Sequence, residues 1–131
     1  MNLTRFVRPV AWVAVAFWLV FGIWAFVAPR SFFDQVAVFP PYNEHFLHDA
    51  GAFQMGLGAV LVFGLIGWDG LGTALAGTAV AAVMHVIAHA IDSDKGGKST
   101  DIPGLAVLAL ALVVAAVLAR PGPRPKHTNA P

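Results

Sequence analysis

Apolar residues run almost unbroken through four stretches, residues 10–27, 45–67, 71–90 and 103–119, and polar residues gather between them. None of the four alternates with a period of two, as barrel strands facing lipid do. Each is close to the roughly 20 residues that cross about 30 Å of hydrocarbon as a helix. Backbone groups in lipid must be satisfied within their own segment, so helices are the remaining solution. The expected fold is therefore all-α: an integral membrane four-helix bundle, up-down-up-down, over residues 1–120. Residues 121–131, rich in proline and cations, read as a disordered basic tail. The fourth span is the shortest and suits little tilt or a thinned bilayer.

Composition agrees with the pattern. The chain is 58% hydrophobic and 11% charged, where soluble domains carry about 25% charged residues, and its mean hydropathy is +0.73. A net charge of +1 gives no argument for nucleic acid or an acidic substrate, and with no cysteine the chain can use neither disulfides nor thiolate chemistry. Richness in Ala, Val and Gly, with Arg outnumbering Lys, suits a bacterial plasma-membrane protein. The opening "MNLTRFVRPVAWVAVAFWLVFGIWAF" has the cations of a signal peptide, but its apolar run is too long and holds Trp12, Trp18 and Trp24. It reads as a retained first span.

Four spans put both termini on one side. Arg5, Arg8, Arg120, Arg124 and Lys126 lie on that side, while Arg30, Lys95 and Lys98 lie opposite, diluted by Asp34, Glu44, Asp92, Asp94 and Asp101. By the positive-inside rule both termini face the cytoplasm. The loop "APRSFFDQVAVFPPY" then falls on the outer surface as an interfacial segment. In "STDIPG", Thr100 or Asp101 can cap the fourth helix and Pro103 suits its first turn.

The candidate chemistry lies in "NEHFLHD" and "HVIAHAID". A short link around Asp69 makes the second and third spans a hairpin, so residues whose numbers sum to about 138 share a height. That brings Asp49 level with His89. Glu44 with His48, His45 with Asp49, and His85 with His89 are spaced i, i+4 on shared helix faces. Ionisable groups at membrane depth cost several kcal/mol unless they satisfy one another. The first reading is a structural polar cluster in which Asp49 accepts from His89 and Asp92 from His45, with Gln54 bonding across to the third span. A second is a metal site for Zn, Fe or Cu built from Glu44, His48, Asp49, His85 and His89. A third is haem b between His48 and His89, with Gly51 and Ala52 leaving room for the macrocycle. A proton relay is a fourth.

Small residues in the second and third spans favour close helix approach. Phe17, Phe21 and Trp24 share a face of the first span, which either packs internally or docks a partner, and the fourth span "GLAVLALALVVAAVLA" has no polar residue. The aromatic, proline-containing outer loop followed by a polar opening and "GAFQMGLGAVLV" resembles the small four-span bacterial membrane proteins called DoxX-like, over the first two spans. That resemblance implies a four-helix bundle and a membrane-associated accessory role. His85 and His89 depart from the general pattern. The expectation is a non-enzymatic accessory or scaffolding subunit of a larger plasma-membrane complex, for lipid transport or respiration, with membrane lipids and larger integral membrane subunits as partners. The alternative is a stand-alone metal- or haem-binding protein.

Overall fold

The computed structural model describes residues 3–67 and 70–120; the link at Asp69 and the tail at 121–131 lie outside the described residues. A short 3-10 turn, Leu3–Phe6, leads into α1 (Val7–Val27), which is followed by α2 (Pro29–Gln35), α3 (Glu44–Leu65), α4 (Leu71–Ile91) and α5 (Asp101–Leu118). All but α2 are long and apolar enough to cross a membrane. At 1.5 Å per residue, the 21 residues of α1 reach about 31 Å.

Each expected span is present as a helix, with ends set by local chemistry. Asn43 caps α3, its side-chain oxygen accepting from the Phe46 N–H at 3.1 Å. Gly70, at φ +119°, supplies the left-handed turn into α4. At α5 neither Thr100 nor Asp101 makes the expected cap: no side chain bonds the first turn, and Asp101 instead accepts from the Lys98 N–H ahead of it at 2.7 Å.

α1 packs chiefly on α3, and α4 on α5. In α1 the buried residues Val7, Ala11, Ala14, Trp18, Gly22 and Ala25 recur every three or four positions. Leu47, Gly51, Gly58, Leu61 and Leu65 follow at steps of four, seven, three and four in α3, the spacing of helices whose side chains interlock along a narrow seam. The backbones nearly touch where glycines meet. A Cβ on Gly51 would fall 2.7 Å from the Gly22 carbonyl oxygen, and one on Gly22 would fall 2.9 Å from the Gly51 oxygen. At the other end of the seam the Arg8 guanidinium donates to the Leu65 carbonyl at 3.0 Å. In the second pair a Cβ on Gly72 would meet the Ala119 oxygen at 2.8 Å.

Ala11, Ala14, Ala74, Ala79, Ala82, Ala109 and Ala115 are buried, while Phe53, Val27, Val107 and Ile91 are each at least 70% exposed. Small residues inside and large apolar ones outside is the distribution expected where lipid, not water, covers the surface. Thr78, in the interior, donates to the Ala74 and Leu75 carbonyls at 2.9 and 3.1 Å and so needs no other partner.

α2 is an element the hydrophobic pattern does not reveal. It folds back over the aromatic face of α1: the Phe32 ring lies 6.2 Å from Phe21 and 5.6 Å from Trp24, both edge-on. The Trp24 indole N–H donates to Ser31 Oγ at 3.3 Å. Of the two uses expected for the Phe17, Phe21 and Trp24 face, internal packing is the one adopted.

Candidate functional site

The polar residues expected to form one cluster take separate partners. On α3, Glu44 accepts from the Tyr42 hydroxyl at 3.2 Å. His45 lies 3.5 Å from Asp49, both well exposed. The His48 ring packs 5.3 Å from Phe26 of α1. Gln54 also turns toward α1, where its Cβ would lie 3.0 Å from one built on Gly22. Its Oε1 is buried with no hydrogen-bond partner among the described residues, so the expected bond to the third span is not made.

The α4 histidines face elsewhere. His85 Nε2 and His89 Nε2 approach to 3.2 Å. On the far side of the His89 ring, Nδ1 lies 3.9 Å from Asp101 Oδ2, and both side chains are under 20% exposed. The Phe39 ring meets His89 edge-on at 5.3 Å. Asp92, expected to take His45, is bound by Lys95 Nζ at 2.6 Å. The structure thus joins His85 to His89 and adds Asp101 and Phe39, while Glu44, His48 and Asp49 have other neighbours. Among the described residues, no three His, Asp or Glu side chains gather as a metal-binding group. His48 and His89 have different aromatic neighbours, Phe26 of α1 and Phe39 of the loop after α2.

Two loops build the roof of the His85 and His89 pair. The Gly97 N–H donates to the Val38 carbonyl at 2.8 Å, and Lys98 Nζ donates to the Gln35 carbonyl. Gly96 and Gly97 both have positive φ, and a Cβ on Gly97 would fall 2.8 Å from the Phe39 ring. Glycine is what lets the loop after α4 sit under Phe39. The segment after α2 is thereby pinned to the segment before α5, and Phe39 is pressed over His89.

The other notable feature is the seam between α3 and α4. The two helices approach near their link, where a Cβ on Gly64 would meet the Leu71 backbone at 3.0 Å. Beyond that they part, leaving a cleft of about 480 Å³ lined by Leu57, Val60, Phe63, Gly64, Thr73 and Gly77 among others. Gly77 and, one turn from Val60, Gly56 have nothing within 4 Å of where a Cβ would stand.

Searches against protein-family models, curated proteins and solved structures find no match to this chain.

Proposed function

We propose that the chain is a multi-pass plasma-membrane protein, up-down-up-down with both termini cytoplasmic, that serves as a non-enzymatic accessory or scaffolding subunit of a larger assembly. The observation that carries the reading is the open apolar seam between α3 and α4. Glycine in a helix costs about 1 kcal/mol relative to alanine, yet Gly56 and Gly77 touch nothing within 4 Å of the Cβ position. Small residues on a lipid-exposed helix face are what a second transmembrane helix needs to come close. The occupant proposed is therefore a membrane-spanning helix of a larger integral subunit. Head-to-tail contacts, Arg8 with Leu65 and Gly72 with Ala119, support alternating helix directions. The placement of Arg5, Arg8, Arg120, Arg124 and Lys126 supports cytoplasmic termini. A DoxX-like relationship would fit the same role.

The test is purification at native expression in mild detergent, for the wild-type chain and for Gly56→Leu and Gly77→Leu. The wild type should co-migrate with larger membrane subunits, and the variants should keep their helix content and lose them. A clean monomer or homodimer for the wild type refutes the reading.

A further inference from the structure

We infer that His85 and His89 form a two-histidine chelate for a divalent transition cation of the zinc or copper type, with Asp101 as the residue that orients it. The inference stands apart from the partner reading, because it concerns the other end of α4 and the isolated protein.

The geometry begins with helix spacing. Residues four apart lie one above the other, and here the two rings converge through the same nitrogen, Nε2 to Nε2 at 3.2 Å. A cation held by imidazole nitrogens at about 2.0–2.1 Å in tetrahedral geometry requires those nitrogens roughly 3.4 Å apart, and at a right angle roughly 2.9 Å. The observed separation lies between the two. Either ring can instead donate to the other, so the pair is satisfied without metal, and a cation binds when the donating ring carries its proton on Nδ1 instead of Nε2.

A metal-bound histidine commonly directs its other nitrogen at a carboxylate, which fixes the tautomer that leaves the ligating lone pair free. Asp101 stands in that position, 3.9 Å from His89 Nδ1. The distance is too long for a direct hydrogen bond but favours a proton on Nδ1 and a lone pair on Nε2. Asp101 is itself held by the Lys98 N–H. The Phe39 ring shields the His89 edge, and both His89 and Asp101 are mostly buried. Two protein nitrogens leave the remaining coordination positions for water or an external ligand, unlike a closed structural site. His45 and His48 play no part, because they face Asp49 and Phe26.

Protein carrying no polyhistidine tag, in detergent at neutral pH, is titrated with zinc chloride and with copper sulfate. One equivalent should bind, and the copper(II) complex should show electron paramagnetic resonance hyperfine structure from two imidazole nitrogens. His85→Gln and His89→Gln should each abolish that binding. Asp101→Asn should weaken it about 10- to 100-fold while the two-nitrogen spectrum persists at saturating copper. His45→Gln/His48→Gln should bind as the wild type does. Absence of binding to the wild type, binding retained by His89→Gln in a chain of unchanged helix content, or binding lost in His45→Gln/His48→Gln would overturn the inference.

Discussion

Replacing Gly51 by alanine tests the close approach of α1 and α3. The added methyl would stand 2.7 Å from the Gly22 oxygen and 2.9 Å from the Phe26 nitrogen, where ordinary contact begins at 3.4 Å. Both obstacles are backbone, so no rotamer relieves them, and the helices must separate by about half an ångström along the seam. Overpacking of this kind costs about 1–3 kcal/mol, and alanine returns up to about 1 kcal/mol of helix propensity. The net expectation is destabilisation by about 1–2 kcal/mol. Gly56→Ala lacks the clash and should stabilise by about 0.5–1 kcal/mol. Gly22→Ala should resemble Gly51→Ala, and the double variant should cost less than the sum, since one separation of the helices accommodates both methyls. Unfolding in mixed micelles by increasing dodecyl sulfate, followed by tryptophan emission, reads all four. Gly51→Ala as stable as Gly56→Ala would refute the backbone contact.

Three further outcomes follow from other parts of the fold. Phe32→Ala should cost about 3 kcal/mol in the same assay, because Phe32 is 5% exposed and joins α2 to Phe21 and Trp24; a loss under about 0.5 kcal/mol would mean that α2 does not dock there. Arg8→Ala should cost about 1.5 kcal/mol through the lost charged bond to the Leu65 carbonyl, and stability unchanged within error would contradict that bond. Tyr42, the sole tyrosine, should ionise above its ordinary value near 10, first through partial dehydration of the phenol and then through the Glu44 carboxylate. Absorbance at the tyrosinate band should therefore rise at higher pH than in the unfolded chain, and Glu44→Gln should bring part of that displacement back; coincident titrations would speak against it.

The spans were legible because a run of apolar side chains long enough to cross hydrocarbon leaves the backbone no alternative to the helix. α2 was not, since seven residues do not hold a helix alone, and its stability comes from Phe32 lying on α1. Pro29 at its first position was the available sign. The i, i+4 spacing of His85 and His89 was visible in the sequence, whereas Asp101 was hidden as their neighbour because a loop separates it from α4. Hairpin heights placed Asp49 level with His89 but could not say which way each helix is turned. That rotation follows from Gly22 and Gly51, which draw α3 onto α1 and carry His48 to Phe26.

Disulfide cross-linking in the membrane tests most directly the arrangement on which the open seam depends, and the cysteine-free chain gives it no background. A Cβ on Gly72 stands 3.7 Å from that of Ala119, within the roughly 3.5–4.5 Å of a disulfide. It needs the Ala119 carbonyl at the end of α5, 2.8 Å away, to give by a few tenths of an ångström, while no neighbouring helix comes within 4 Å of the Cβ position of Gly77. Under mild oxidation Gly72→Cys/Ala119→Cys should cross-link rapidly within one chain, and Val60→Cys/Gly77→Cys should remain reduced. Rapid closure of the second pair with failure of the first would mean that α4 lies against α3 instead of α5, and the cleft proposed to receive a partner helix would not exist.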